Sequence, residues 1–200
     1  MSTLPDMFCY LNTIPFDIRY ATSNNFLGRP LSGYKANKCI ITTPVAKALT
    51  AAQTKAEELG LSLMIFEAYR PLKALEDIMQ WVFTDDHSAQ HRFYPNLNKQ
   101  QLFDSGYIAL RSTHTRGAAV DVTLVDRTTG KELDMGTEFD FFGIESHTAA
   151  ASISSVARDN RQQLLSVMES SGFVNYEKEW WHFTLRNEPF PETYFDFDIV

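Results

Sequence analysis

Three side chains of types that bind zinc lie in two short segments of the chain. His114 precedes Asp121 by seven positions, and Gly117 between them permits a tight turn that could bring both side chains to one centre. His182 follows much later, in an aromatic segment. Two histidines and one carboxylate leave a fourth coordination position for water, which is the arrangement of catalytic zinc sites. These three residues are therefore candidate metal ligands.

Two further side chains would complete a hydrolytic site around such a metal. Glu179 lies three residues before His182 and is a candidate general base. In a regular strand its side chain would point to the face opposite that of His182, so it must reach the site from the strand's end or from a bulge. Arg70 lies between a predicted strand and a predicted helix and is a candidate for stabilising an oxyanion. Each residue alone is better explained by an ordinary loop or surface position, and only the combination indicates catalysis.

A second histidine pair competes for the metal. His87 and His91 are four residues apart, the spacing that places two side chains on one helix face, and Asp85 and Asp86 are adjacent. This segment is polar and offers no third ligand of fixed position, so we favour the first set. His147 is expected to be structural. Signatures of nucleotide-binding loops, serine hydrolases and HExxH metallopeptidases do not occur in the sequence.

Hydrophobic periodicity predicts two helices in the first half of the chain. A helix over residues 43–59 is expected to begin at Thr43 and Pro44 and to end at Gly60. Pro71 is expected to open a second helix. The predicted buried stripe of that helix consists of Leu72, Leu75, Met79, Val82 and Phe83. The later segments are a predicted helix–loop excursion over residues 85–105 and a long helix over residues 150–171.

Alternating apolar residues predict three strands. Residues 61–67 form the first, and residues 118–125 form the second, in which Asp121 faces away from the valines. In the third, residues 180–186, the side chain of His182 lies on the less apolar face. Helices mixed with hairpin-linked strands predict an α+β fold with a mainly antiparallel sheet flanked by helices.

Length and composition fit one globular domain spanning residues 1–200. Residues 1–42 are predicted to form an irregular N-terminal arm, and residues 187–200 a C-terminal tail. The 18 Lys and Arg residues and 25 Asp and Glu residues give a net charge of −7. Nucleic-acid and anionic-membrane binders need a basic surface, so neither partner is expected.

The N-terminal sequence lacks the pattern of a secretory signal, and no window reaches the roughly 18 unbroken apolar residues of a membrane helix. We therefore expect a cytoplasmic protein, or a periplasmic one if a leader has been removed. Cys9 and Cys39 are the two cysteines, and we expect reduced core thiols that would be bridged only in an oxidising compartment.

Residues 112–121 (STHTRGAAVD) and 179–182 (EWWH) resemble the signature of the D-alanyl-D-alanine dipeptidases. Residues 18–26, 67–71 (EAYRP) and 134–140 (DMGTEFD) are also similar to this family. Its zinc peptidase fold is shared by D-Ala-D-Ala carboxypeptidases, lysostaphin-type enzymes and the hedgehog signalling domain. The resemblance therefore implies a single hedgehog/DD-peptidase-like domain.

The resemblance also implies roles for particular residues. It implies one zinc ion per chain, held by His114, Asp121 and His182. It implies that Glu179 acts as general base and acid and that Arg70 stabilises the tetrahedral intermediate. The residues implied for binding the dipeptide are Ser112, Tyr107, Asp140 and, at the amino end, Tyr20.

The expected function is hydrolysis of a small D,D-dipeptide, chiefly D-alanyl-D-alanine, by a chain that could form a homo-oligomer. Glycopeptide resistance and salvage of D-alanine are both compatible roles. One alternative is a carboxypeptidase or endopeptidase on longer peptidoglycan peptides, which an open groove would favour. A cover formed by residues 85–111 would favour the dipeptidase. The other alternative is a zinc-stabilised binding module without turnover, and the presence of both Glu179 and Arg70 argues against it.

Overall fold

Six strands and five α-helices form the regular structure of residues 4–200, which the computed structural model describes. The strands are β1 Phe8–Tyr10, β2 Ile40–Thr42, β3 Leu61–Glu67, β4 Ala119–Asp126, β5 Phe173–Asn175 and β6 His182–Leu185. The α-helices are α1 Thr43–Glu58, α2 Leu72–Val82, α3 Gln90–Phe93, α4 Lys99–Asp104 and α5 Ser155–Glu169. Short 3-10 helices cover Arg19–Ala21 and Ile144–Ser146.

The strands form two antiparallel sheets. β1 and β2 pair with each other, and the other four strands form a sheet in the order β3-β4-β6-β5. α1 packs against β3 and α5, and α5 packs against β5 and β4. The predicted α+β fold with a mainly antiparallel, helix-flanked sheet is confirmed. None of the helices in residues 4–200 is long and apolar enough to cross a bilayer.

A β-bulge in β3 decides which side chains share the functional face of the sheet. Ile65 pairs with Val122, but Glu67 pairs with Asp121, so one extra residue of β3 lies between the two pairs. Without this bulge Glu67 would share the apolar face of Ile65, because side chains alternate along a strand. Asp121 in turn pairs with His182 of β6. Three adjacent strands thus place Glu67, Asp121 and His182 in one row.

The ends of α1 agree with the sequence prediction to within one residue. Of the predicted stripe of α2, Leu75 and Val82 are buried, but Leu72 and Met79 are only half-buried. The buried apolar residues of α2 are Ala74, Leu75, Ile78, Trp81 and Val82. Phe83, predicted to be buried, is 80% exposed because the helix ends at Val82 and Phe83 already belongs to the turn. The large indole ring of Trp81 takes the core position instead, where it packs on Phe26.

Two other predicted elements were too long. The helix predicted over residues 150–171 begins only at Ser155, because the Ser154 side chain accepts a hydrogen bond from the Ala157 backbone and caps it. The strand predicted over residues 180–186 begins at His182, because the preceding residues form the turn that joins β5 to β6. Both differences lie at element ends, where local hydrogen bonds override periodicity.

The N-terminal and C-terminal segments pack closely on the domain. The Asp17 amide donates to the Ile65 carbonyl at 2.8 Å, so the N-terminal segment covers the open edge of β3. The ring of Phe197, near the C-terminus, stacks on Tyr69 at 4.1 Å between centroids. Cys9 and Cys39 are free thiols, as the sequence predicts.

Gly117 ends the turn that carries His114. Its φ is +66°, a value that favours glycine, and an added Cβ would lie 2.7 Å from the Phe8 ring and 2.8 Å from the Thr42 methyl group. Gly130 has a similar φ of +69° but has open space around it. A substitution at Gly130 therefore tests backbone strain alone, whereas one at Gly117 tests backbone strain together with steric overlap.

We expect Gly117→Ala to lower the free energy of unfolding by about 2–4 kcal/mol, because it adds overpacking to the strain of a positive φ. Gly130→Ala, the matched control, should cost only about 1 kcal/mol. Urea unfolding measures both values. Equal losses in the two variants would contradict the close packing around Gly117.

Candidate active site

Three side-chain atoms converge at the edge of the sheet. Asp121 Oδ1 lies 3.1 Å from His182 Nδ1 and 3.2 Å from His114 Nε2, and the two imidazole nitrogens are 3.2 Å apart. Within residues 4–200 this is the one group of three or more histidine, cysteine or acidic side chains arranged to hold a metal ion. The structure thus brings together the three residues that the sequence singled out as ligands.

Hydrogen bonds behind the cluster orient both imidazole rings. His114 Nδ1 lies 2.7 Å from the Ala68 carbonyl oxygen, to which it donates, and this leaves the lone pair of Nε2 facing the cluster. His182 Nε2 lies 3.3 Å from Thr113 Oγ1 and 3.4 Å from Thr184 Oγ1. Its Nδ1 is therefore the nitrogen available inside the cluster.

The cluster fits a tetrahedral zinc ion. Ligands at about 2.0–2.1 Å from zinc are separated by about 3.3–3.4 Å along a tetrahedral edge. The three observed separations of 3.1–3.2 Å are close to this value. Two imidazole lone pairs and a carboxylate oxygen that face one another at such distances repel unless a cation lies between them. The donor set and its geometry therefore both suit a divalent metal.

Electrostatic interactions keep the aspartate of this cluster ionised. Burial acts to raise the pKa of Asp121, but the neighbouring His114 and His182 outweigh it and hold that pKa well below its usual range. At His182 burial, with the charges of His114 and Arg70 acting in the same direction, outweighs Asp121 and lowers the pKa. At His114 burial is outweighed by Asp121 and Glu67, which raise the pKa. The carboxylate is thus in the charge state that a metal ligand needs.

Glu179 approaches the cluster from the turn between β5 and β6. Its backbone amide donates to the Tyr176 carbonyl at 2.9 Å, and its carbonyl accepts from the His182 amide at 3.2 Å. The carboxylate lies 3.9 Å from His182 Nδ1 and makes no hydrogen bond within residues 4–200. Burial, together with Asp121 and Asp140, raises its pKa well above the usual value. The expectation that Glu179 reaches in from the strand's end agrees with this turn.

Arg70 is held by a buried glutamate. Its Nε and Nη2 donate to the two carboxylate oxygens of Glu67 at 2.9 and 2.5 Å, and Tyr34 donates its hydroxyl to the same carboxylate at 2.5 Å. Glu67 is fully buried. The third nitrogen, Nη1, makes no hydrogen bond within residues 4–200, and Arg70 lines the pocket described below. The backbone amide of Arg70 also donates to the His114 carbonyl.

The sequence analysis did not assign a role to Glu67 or Tyr34. Glu67 stands three residues before Arg70, a spacing that permits an ion pair, so this signal was present in the segment 67–71. No signal identifies Tyr34, because it lies 33 residues from Glu67 in the chain.

Asp140 is a buried carboxylate in a strained loop. Its φ is +61°, which is rare for residues other than glycine. Its Oδ2 atom is buried and has no hydrogen-bond partner within residues 4–200. Burial, together with Asp121 and Glu67, raises its pKa well above the usual value. Tyr20 is buried beside Asp140, and its ring lies 5.0 Å from the guanidinium carbon of Arg70.

The loop that carries Asp140 is held from behind by a buried arginine of α5. Arg161 donates to the carbonyl oxygens of Met135 and His147, each at 2.7 Å. The side chain of Arg161 is 1% exposed. It therefore ties the two ends of this loop to one helix. No sequence pattern indicates this role, since Arg161 lies in a segment with the periodicity of an ordinary amphipathic helix.

One pocket of about 290 Å³ is lined by the three converging side chains together with Glu179, Arg70, Asp140 and Tyr20. Ser112 and Tyr107 line it, together with Gly106, Ile108 and Arg111 from the end of the polar excursion. The Tyr107 hydroxyl hydrogen-bonds His147 Nε2 at 3.0 Å, so His147 supports a side chain of the pocket wall. Lys178, next to Glu179, donates to the Ser105 carbonyl at 2.8 Å. The excursion is thus part of the pocket wall.

The competing histidines lie outside this site. His87 and His91 are exposed, and only His91 belongs to a helix, the single turn α3. Neither residue lines the pocket. The four-residue spacing therefore does not place them on one helix face, because the segment before α3 is not helical.

Comparisons with known proteins agree on one family. The family model described as peptidase M15, D-Ala-D-Ala dipeptidase, matches residues 5–200. A D-alanyl-D-alanine dipeptidase of Enterococcus faecalis is 40% identical over 190 residues, which cover 94% of each chain. One of Streptomyces coelicolor is 43% identical over 188 residues, covering 94% of this chain and 93% of that protein.

A solved structure of a vancomycin-resistance D,D-pentapeptidase, VanY, in complex with Zn(II), is 16% identical over 76% of each chain, with a TM-score of 0.46. That likeness is too low to bear on the site. The family match and the two relatives extend over nearly all of the chain. The chain is a peptidase and belongs to the M15 family of D-Ala-D-Ala dipeptidases.

Proposed function

We propose that this protein is a zinc-dependent hydrolase of D-alanyl-D-alanine. The observation that carries the proposal is the convergence of His114, Asp121 and His182 at 3.1–3.2 Å inside a small pocket. These residues hold one zinc ion per chain. Bound there, zinc supplies a Lewis acid for the scissile carbonyl and lowers the pKa of water.

Glu179 is the general base and acid of the proposed reaction. Its carboxylate lies in the pocket, 3.9 Å from His182 Nδ1, and has no hydrogen-bond partner within residues 4–200. It is therefore available to accept a proton from the attacking water and to deliver that proton to the leaving amine. The turn that fixes its backbone supports this role, because proton transfer requires a carboxylate in a defined place.

Arg70 stabilises the negative charge that develops on the carbonyl oxygen. Two of its nitrogens are engaged by Glu67, which fixes the plane of the guanidinium and leaves Nη1 for the oxyanion. A donor that is already oriented contributes more to a transition state than one that must be ordered first. In this proposal Glu67 and Tyr34 are positioning residues for Arg70.

The dipeptide's charged amino group binds Asp140. The Oδ2 atom of this buried carboxylate lacks a partner, and an ammonium group would supply three donors. Tyr20 lies beside Asp140 at this end of the pocket. Ser112 supplies a hydroxyl for the other end of the dipeptide, and Tyr107 forms part of the wall.

The size of the pocket favours a dipeptide over longer peptidoglycan peptides. The end of the excursion, residues 106–111, lines the pocket and is tied to the turn of Glu179 through Lys178. A peptide extended at its amino end would have to displace the carboxylate of Asp140 or this wall. The same role accounts for the burial and backbone strain of Asp140, whose carboxylate closes the pocket at the amino end of the dipeptide.

The function is tested by comparing D-alanyl-D-alanine with a peptidoglycan pentapeptide, with and without a chelator. We expect hydrolysis of the dipeptide alone, its loss on chelation and its recovery on adding zinc. Glu179→Gln should lower kcat by about 10²–10⁴, the usual range for losing a general acid–base residue, and should keep zinc near one equivalent.

The matched control is Glu177→Gln, since Glu177 is exposed in the same turn. It should retain the parent kcat. Faster turnover of the pentapeptide than of the dipeptide would show that the protein is a carboxypeptidase and not a dipeptidase. Loss of zinc in Glu179→Gln would make Glu179 a ligand or a structural support, and full activity in that variant would place the base elsewhere.

The role of Asp140 predicts strict discrimination at the amino end. Acetylation of the dipeptide's amino group should lower kcat/KM by at least about 100-fold, because a buried carboxylate loses a charged hydrogen bond worth a few kcal/mol. Steady-state rates on D-alanyl-D-alanine and its N-acetyl form measure this ratio. Comparable rates would show that Asp140 does not bind the ammonium group.

A further inference from the structure

The pocket holds more negative than positive charge. Asp121, Asp140 and Glu179 line it, whereas Arg70, which also lines it, is already neutralised by Glu67. A dipeptide zwitterion must bring its own carboxylate into this field, and it is repelled unless a cation receives it.

Arg111 is a second guanidinium in the pocket wall. Its side chain is exposed, and it forms neither a hydrogen bond nor an ion pair within residues 4–200. The ring of Tyr194 lies 5.6 Å from its guanidinium carbon, within the range of a cation–π contact. Arg111 is thus held at the pocket by an aromatic ring rather than by an acid.

Tyr194 is itself fixed by a second arginine. Arg116 Nη1 donates to the Tyr194 hydroxyl at 3.1 Å, and Nε and Nη2 of Arg116 donate to the Glu188 carboxylate at 2.7 and 2.8 Å. Of the two arginines on this ring, Arg116 has its charge satisfied and Arg111 does not. The ion pair therefore supports the ring that holds Arg111 at the pocket.

We propose that Arg111 receives the free carboxylate of the substrate at the mouth of the pocket and thereby selects peptides with a charged carboxyl end. The proposal rests on the proposed dipeptidase function and adds a specificity residue to it. A guanidinium offers a planar pair of donors that matches a carboxylate. Ser112, the next residue in the chain, also lines the pocket and offers its hydroxyl to the same end.

The test compares two ligands that differ only in this charge, D-alanyl-D-alanine and D-alanyl-D-alaninamide. Arg111→Ala should raise KM for the dipeptide about tenfold, the low end for losing a hydrogen bond to a charged group, because Arg111 is exposed. The inhibition constant of the amide against dipeptide hydrolysis should change less than twofold. Arg111→Lys should restore most of the affinity, since it keeps the charge.

Ionic strength gives a second readout. Raising the salt concentration should increase KM of the parent enzyme more than that of Arg111→Ala, since salt screens the attraction that the variant lacks. The matched control is Arg127→Ala, which removes the same charge from the far end of β4 and should keep the parent KM.

The outcomes separate this inference from the proposed function. If the parent enzyme hydrolyses the dipeptide but Arg111→Ala keeps its KM, the role of Arg111 is refuted and the dipeptidase stands. If Arg111→Ala weakened the binding of dipeptide and amide equally, the role of Arg111 would also be refuted, because the loss of affinity would then not depend on the carboxylate. A parent enzyme that does not hydrolyse the dipeptide would overturn both.

Discussion

Four buried carboxylates surround the partly buried guanidinium of Arg70, and this imbalance is the constraint on which the site depends. Glu67 is neutralised by Arg70, but Asp121, Asp140 and Glu179 have no arginine or lysine partner within residues 4–200. Burying an ion costs several kcal/mol unless an opposite charge is close. In our account a divalent metal and the substrate's ammonium group supply that charge. The convergence of His114 and His182 on Asp121 and the unpartnered oxygen of Asp140 are then features of function rather than defects of packing.

Strand register carries this charge arrangement. The bulge in β3 turns Glu67 onto the face of Asp121, and the pairing of β4 with β6 sets His182 beside Asp121. A shift of one residue in either pairing would move a ligand or the arginine's partner to the apolar face. The close packing of Gly117 against the N-terminal segment fixes the turn of the remaining candidate ligand, His114. Segments distant in the chain therefore cooperate to hold one candidate metal site.

The parts of the site that follow from local pattern were predictable. Strand alternation placed Asp121 on the face opposite the valines, and the combination of residue types singled out His114, Asp121 and His182, which the structure brings together. Tyr34 and Arg161 were missed because their partners are distant in the chain, so that tertiary folding alone brings them together. Phe83 was misplaced because periodicity does not show where a helix ends. The spacing of Glu67 and Arg70 was a signal for their ion pair, but no pattern in the strand indicates the bulge that turns Glu67 toward the site.

The most direct test of this account is the thermal unfolding midpoint of metal-free protein as zinc is added. Zinc that binds only the folded state, at a free concentration 1,000 times its dissociation constant, stabilises that state by about 4 kcal/mol. This raises the unfolding midpoint by roughly 8–16 °C for a chain of this size. We predict this rise for the parent protein and for His91→Ala, and none for His182→Ala. A rise of the same size in His182→Ala, or its loss in His91→Ala, would contradict the account.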